Sequence, residues 1–403
     1  MKLAGSKVFT IALFSIFVLI LSGCSKKIIR SLQKGSVGIA EFHKVIDVEY
    51  DGGLLIIPVT IQEVTYRFLF DSGAPLCISE EIQQLYAYNK ISSVGLTDTD
   101  GSSSKVDVVE INSISIDGIP FIDQSAFVLS MKAHPMIKCI GVDGIIGSNL
   151  MRFCNWKINI RKKQISLSNN MDQLAIENAV TLPFTTDIQY NIYLNMRIDS
   201  LNFGSFELDY GSTGYLSIFP RTMNALINNE IIDTVFKEFG YRQSGILGYK
   251  IKAESDIAYT DKIRLDDLPV DSIRLITSQY QLIGTALLKR FEVGIDWTDH
   301  VVHFTKLDSA AKTLSSHGFT IGYTHEDGFY VMSVVKGSPA FKVGIKPGMK
   351  VLEIDGIVLR NSQNYCKYID NLSALQDSLV IKCEDSKGEM QSYKLERELP
   401  AHW

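Results

Sequence analysis

Phe68-Leu69-Phe70-Asp71-Ser72-Gly73-Ala74 is the stretch on which the fold turns. An apolar strand runs into an acid, and a glycine two residues on lets the backbone fold close beneath it. One Asp-x-Gly is a generic turn signal. This one has a second copy, Phe206-Glu207-Leu208-Asp209-Tyr210-Gly211-Ser212. Each is followed at matched distance by an apolar block ending in glycine. Gly144-Ile145-Ile146-Gly147 puts Gly147 at 76 residues from Asp71 (147 − 71), and Leu282-Ile283-Gly284 puts Gly284 at 75 from Asp209 (284 − 209). Leu150 then matches Leu287, Ile158 matches Ile295, Ile165 matches Val302 and Leu167 matches Phe304, each 137 positions apart. Matched flanks and downstream blocks mark an internal duplication.

Around the repeats the chain is strand-rich, with short apolar runs broken by Gly, Asp, Asn and Ser turns. Leu54–Ile61, Thr65–Phe70, Val106–Ile116 and Ala126–Leu129 read as strands, and only Ser79–Tyr88 and Thr222–Phe239 read as helices. The expected class is mainly β. Two carboxylates brought together by lobe symmetry repel if both ionise, so one stays protonated. Such a pair holds a water, takes a proton from it and gives one to a carbonyl oxygen. No metal or cofactor is called for. With Ser212 beside Asp209 and only Ala74 beside Asp71, fewer hydrogen bonds support the charged form of Asp71. Asp71 is therefore the expected protonated partner.

Phe70-Asp71-Ser72-Gly73-Ala74 resembles the aspartic protease signature in its retropepsin-like form, and Gly144-Ile145-Ile146-Gly147 resembles the family's downstream apolar-apolar-Gly element. The duplication resembles the bilobal pepsin-like arrangement, over roughly residues 46–305. The resemblance implies a pair of β-barrel lobes, 45–170 and 171–307, with Asp71 and Asp209 as the catalytic pair. It assigns catalytic-loop support to Ser72, Gly73, Ala74, Gly211, Ser212, Gly147 and Gly284. The family places Ser or Thr after the Asp, and lobe two departs from this with Tyr210. Each lobe is expected to carry a flap over the cleft. In lobe one the flap is the Asp98–Ser104 turn, with Asp100, Gly101 and Ser102 at its tip. In lobe two it is Gln243–Gly248, with Gly245 and Ile246, where the glycines suit a mobile tip. The substrate is then a peptide or protein. Two other readings fit the residues: a peptide-binding lipoprotein without catalysis, and a retropepsin-like homodimer using Asp71 alone.

The segments outside the repeats add location and partners. Lys2 and Lys7 precede the apolar run Val8–Leu21, too short to span a bilayer as a helix but suited to a signal peptide over 1–23. Leu21-Ser22-Gly23-Cys24 resembles a bacterial lipoprotein box, which implies lipidation at Cys24, a membrane anchor and a place in the cell envelope. Residues 24–44 read as a polar tether. Five further cysteines, at 77, 139, 154, 366 and 383, follow no disulfide framework and read as buried thiols.

Ser338-Pro339-Ala340, Gly344-Ile345-Lys346-Pro347-Gly348 and Ile354-Asp355-Gly356 resemble a PDZ domain of the bacterial protease-associated kind, over 315–398. The resemblance implies capture of protein C-termini as an added strand at Gly318, Phe319 and Thr320. A helix is expected from about Ser362, with Tyr365, Tyr368, Ile369 and Leu372 on one face.

Other chemistries are poorly served. The chain has 40 Lys and Arg against 45 Asp and Glu, a net charge of −5 without basic runs, which argues against nucleic acid. His300 and His303 fall on opposite faces of a strand and make a poor metal pair. His-Glu-x-x-His, Gly-x-Ser-x-Gly and phosphate-loop motifs are absent from the sequence.

Overall fold

A computed structural model describes residues 25–403, apart from 99–100, 102, 199–200, 244, 261–263, 266–267, 271–272, 308–314, 361–363, 365, 368–376 and 401–402. The leader with Cys24, the flap residues Asp100 and Ser102, and most of the helix expected from Ser362 lie outside the described residues.

Lobe one is built on a hairpin of strands Leu54–Ile61 and Val64–Phe70. Its turn residues Gln62 and Glu63 both have positive φ, 46° and 70°, which suits the twist of a two-residue hairpin. The second strand delivers Asp71. The chain then crosses to the short strand Cys77–Ser79 and a helix, Glu80–Tyr86, whose first turn is capped by the Ser79 hydroxyl. Strand Gly144–Ile146 later inserts between these two, parallel to Val64–Phe70 and antiparallel to Cys77–Ser79. The Asp71 loop is thereby pinned from below. Lobe two repeats the device. Leu282–Ile283 lies parallel to Leu201–Leu208 and antiparallel to Leu216–Ile218.

The lobes join through one antiparallel sheet, in the order His43–Asp47, Gln164–Ser168, Asn155–Asn159, Phe291–Asp296, Val301–Lys306, Val180–Thr186. At its centre Trp156 pairs with Ile295 and Ile158 with Val293. The 137-residue offset relates Trp156 to Val293 and Ile158 to Ile295, so exchanging the lobes maps this pairing onto itself. A two-fold axis between the lobes requires that self-complementarity. One hydrophobic core spans both lobes. Phe70 meets Trp156 and Tyr210 edge-on at its centre, with ring centroids 5.3 and 5.5 Å apart.

Residues from Ser315 form a separate unit with its own core, including Val331, Val334, Ile354 and Ile381. Its strands Phe319–Thr324 and Gly328–Val335 form a hairpin, and Lys350–Ile354, Ser378–Glu384 and Met390–Glu396 complete it. The unit is attached to both lobes. Gly328–Val335 pairs antiparallel with strand Val235–Arg242 of lobe two, Glu238 opposite Val335 and Gly240 opposite Ser333. Lys250 of lobe two forms a 2.7 Å ion pair with Asp327 and lies over the Tyr330 ring. A Cys139–Cys366 disulfide ties the unit to lobe one.

Three expectations are corrected. Residues 25–32 are not a tether: Ser25–Leu32 is a helix that buries Ile28 and Leu32 on lobe one, and Ser36–Val37 adds to the edge of strand Ile119–Leu129. The helix expected over 222–239 spans only Pro220–Asn228. Its second half is the strand Val235–Arg242, stabilised by pairing with Ile251–Thr260 and with the C-terminal unit. Cys139 and Cys366 are a disulfide rather than thiols, while Cys77, Cys154 and Cys383 are buried and free.

Candidate active site

The two Asp-x-Gly turns meet at the lobe interface. Each acid is fixed by its own lobe: Asp71 N–H donates to Ile146 O and Asp209 N–H to Ile283 O, both at 3.0 Å. Each carboxylate accepts the N–H of the glycine two residues on, Gly73 to Asp71 Oδ1 and Gly211 to Asp209 Oδ1, both at 2.8 Å. The glycines serve the opposite lobe as well. A Cβ on Gly211 would stand 2.3 Å from Asp71 Oδ2, and one on Gly73 would stand 2.9 Å from Asp209 Oδ1. Only glycine leaves room for each carboxyl to lie against the facing loop, close enough for each acid to shift the other's ionisation.

The loops are tied across the interface on one side only. The Ser72 hydroxyl donates to Leu208 O and accepts from Tyr210 N–H at 3.2 Å. Tyr210 does not return the bond. Its ring is fully buried against Phe70, and its hydroxyl has no hydrogen-bond partner among the described residues. Ser212 faces Asp209 with its backbone N–H, not its side chain. Ala74 contributes its carbonyl, which accepts from Ser148 N–H at 2.9 Å. Gly147 and Gly284 permit the close stacking beneath: a Cβ there would fall 2.1 Å from the Pro75 carbonyl carbon and 2.4 Å from Gly214 O.

Sequence reasoning missed Ser148 and Thr285, the hydroxyls that follow those glycines. Ser148 Oγ lies 2.8 Å from Asn191 Oδ1 of lobe two, and Thr285 Oγ1 donates to Gly53 O of lobe one at 2.6 Å. Each thus stitches its lobe to the other. Their 137-residue separation was the available signal. Glu207 was also missed. It sits near the end of strand Leu201–Leu208, two residues before Asp209. It is buried, its Oε1 has no hydrogen-bond partner among the described residues, and that oxygen would lie 3.1 Å from a Cβ on Gly73.

Burial governs the electrostatics. Asp71 is enclosed by protein except for an edge toward the cavity, and burial pushes its carboxyl up to about 6, against the Gly73 and Gly211 N–H groups that favour its charge. Asp209 goes well above the ordinary range, through burial first and then the Asp71 charge beside it. Glu207 is raised well above its ordinary range by burial, then by Asp209. Burial thus raises both carboxyls of the pair, so together they hold a proton more readily than free carboxyls do. Two backbone N–H groups favour the charged form of each acid: Gly73 and Gly211 for Asp71, Gly211 and Ser212 for Asp209.

The pair opens on a cavity of about 760 Å³, lined also by Asp98, Ile137, Ile246 and Tyr241. The hairpin Asn89–Thr97/Ser103–Ile116 stands on one side, with Gly101 in its turn at φ +79°. The Val235–Arg242/Ile251–Thr260 hairpin stands on the other. Their ends touch: Asp98 Oδ2 accepts Leu247 N–H at 3.2 Å, and a Cβ on Gly245 would strike the Asp98 carboxylate at 2.1 Å. His134 Nε2 lies 2.8 Å from Gln243 O. The lobe-two tip, expected to be mobile, is thus docked on lobe one. Gly318 has φ +79° and packs so closely on Ser338 that a Cβ would fall 2.0 Å from it. Phe319 and Thr320 line the same cavity as the acid pair.

Residues 57–150 match the family model described as "Aspartyl protease". Among solved structures, the chain is similar to a retropepsin-like aspartic protease from Rickettsia conorii, at 18% identity and TM-score 0.23, covering 33% of this chain and 94% of that one. It is also similar to Basic 7S globulin from soybean, at 12% identity and TM-score 0.42, covering 66% of this chain and 95% of that one. No curated protein matched.

Proposed function

We propose that the chain is an aspartic endopeptidase, anchored in the cell envelope through lipid on Cys24, with a PDZ-like C-terminal unit that binds peptide ends. The observation that carries the catalytic reading is the reciprocal seating of the Asp71 and Asp209 carboxyls against Gly211 and Gly73. In this reading a water sits between the acids. Asp71, ionised, removes a proton as the water oxygen bonds to the amide carbonyl carbon. Asp209 gives its proton to the carbonyl oxygen. The gem-diol then collapses: the nitrogen takes the proton from Asp71, a diol hydroxyl returns one to Asp209, and the C–N bond breaks. A carboxylic acid and an amine leave, and the pair is restored.

Two features favour this over the other readings. Asp209 supplies the second carboxyl from the same chain, so no homodimer is needed. Tyr210 turns into the core and leaves the acids unobstructed, so it gives no ground for a binder without catalysis. A quenched-fluorescence peptide assay tests the proposal. Asp71→Asn and Asp209→Asn are each expected to lower kcat by about 10³-fold. Wild-type turnover no higher than that of Asp71→Asn sinks the enzyme reading. For the anchor, Cys24→Ala is expected to move the protein from the membrane to the soluble fraction.

A further inference from the structure

One buried carboxyl beside the acid pair has no part in the chemistry proposed above. Glu207 is 2% exposed, and its Oε1 has no hydrogen-bond partner among the described residues. It stands close to Asp209. The place that a Cβ on Gly73 would take lies 2.9 Å from Asp209 Oδ1 and 3.1 Å from Glu207 Oε1, so the two oxygens are no further apart than the sum of those distances. The duplication does not ask for an acid here. Leu69 holds the matching place in lobe one, two residues before Asp71, and is buried among apolar side chains. A leucine at 207 would avoid the cost of burying a carboxyl, so packing alone does not explain the glutamate.

The titratable groups that act on Glu207 come from every side. Asp209 follows it in the same turn, and Asp71 acts on it from the lobe-one loop. Tyr193 lies directly opposite on strand Ile192–Ile198, and Asp187 precedes that strand. On its other side strand Leu282–Ile283 presents Leu282, which carries no charge. Burial raises Glu207 first, and the charges of Asp209, Asp187 and Asp71 raise it further. Coulomb repulsion is mutual. Any charge on Glu207 opposes a charge on Asp209 and never favours one.

We propose that Glu207 is a third carboxyl of the acid site, a positioning residue that acts through Asp209 and keeps the Asp209 proton in place at pH values where two carboxyls alone would release it. The inference rests on the peptidase reading, in which Asp209 is the proton donor, and adds a control on its working range. Asp71 must lose its proton for the pair to work, which sets the acid limb of activity. Asp209 must keep its own, which sets the alkaline limb. Glu207 acts on the second limb alone, because on the acid side it is itself protonated and uncharged. Two unit charges roughly 6 Å apart, at an effective dielectric constant of about 20, shift a titration by about two pH units, shared between the two carboxyls.

The test is kcat against pH on one quenched-fluorescence peptide, using the full chain as wild type, Glu207→Gln, Glu207→Leu and Glu207→Asp. Urea denaturation first establishes that each variant is folded, and the leucine already tolerated at position 69 makes Glu207→Leu a fair substitute. In Glu207→Gln and Glu207→Leu the alkaline midpoint should fall by about one pH unit while the acid midpoint holds. Glu207→Asp keeps a carboxyl and should retain part of the wild-type range. A kcat lowered equally at every pH, with both midpoints in place, would mean that Glu207 only supports the fold, and it overturns the proposal while leaving the peptidase reading intact. A profile identical to wild type does the same. If wild type cuts nothing above Asp71→Asn, the peptidase reading fails, and carbon NMR of isotope-labelled aspartate carboxyls decides the proposal separately. The Asp209 signal, assigned by its loss in Asp209→Asn, should titrate at lower pH in Glu207→Gln than in wild type. An equal midpoint in the two removes the third carboxyl from the site.

Discussion

Ser72 and Tyr210 occupy matching places after the two acids, and only Ser72 crosses the interface. Its hydroxyl serves Leu208 O and Tyr210 N–H together, and Ser72→Ala leaves both buried groups unpaired. That should cost about 1–3 kcal/mol of stability, measured by urea denaturation, with a lower kcat from a looser pair. Tyr210→Phe should be neutral or stabilising by the same measurement, since the hydroxyl it removes has no partner among the described residues. Asp71 was legible because the motif is local. Glu207 was not: a Glu on a strand ordinarily reads as solvent-facing, and its burial arises from a loop 134 residues away (207 − 73). It gives a pH prediction. Burial raises Asp71, Asp209 and Glu207 above their ordinary values, so the folded state holds protons that the unfolded chain releases. Their contribution to stability is full below the ordinary carboxylate range and is lost as pH rises toward the folded values. For Asp71 that window runs from 3.8 to about 6, and the other two extend it upward. The urea midpoint should fall across this range, and Glu207→Gln should flatten the fall. An unchanged slope in the variant would mean that Glu207 does not titrate with the pair.

At the scale of elements, the inserted strands Gly144–Ile146 and Leu282–Ile283 decide where the acids stand. Both act through the glycine that ends them. Gly147→Ala forces a Cβ to 2.1 Å from backbone that cannot turn aside. The expected result is a loss of about 1–3 kcal/mol or more, together with a drop in kcat, because the displaced segment carries Ala74 and the Asp71 loop. Stability and kcat both at wild-type values would show that this packing does not position Asp71. These strands were legible through their repetition. The strand Val235–Arg242 was not. Its residues follow directly on a helical stretch, and its two partners, Ile251–Thr260 and Gly328–Val335, lie further along the chain. Local periodicity cannot report a strand whose stability comes from distant pairing. The lobe-two tip escaped for the same reason: Gly245 and Gly248 read as freedom, yet each fits closely against lobe one.

For the whole molecule, the 137-residue repeat made the two lobes readable, because a two-fold fold writes its symmetry into the sequence. The position of the C-terminal unit carries no such trace. Its attachments include a disulfide between cysteines 227 residues apart and a short strand pairing, and neither has a sequence pattern. The disulfide matters most where the unit meets lobe one, since Cys139 sits on helix Pro135–Ile140 among Met136 and the unit's own core. A cross-link closing so long a loop stabilises by about 5 kcal/mol in the chain-entropy account. The Cys139→Ser/Cys366→Ser double variant should therefore unfold at lower urea. The change should be local before it is global. Hydrogen exchange should rise in Pro135–Ile140, Gly328–Val335 and Val235–Arg242, while Phe70, Trp156 and the strands around them keep their protection, because that core lies wholly within the two lobes. Exchange unchanged in all three segments would mean that strand pairing with lobe two is enough to hold the unit. Exchange rising equally in the Phe70–Trp156 core would mean that the lobes depend on it to fold.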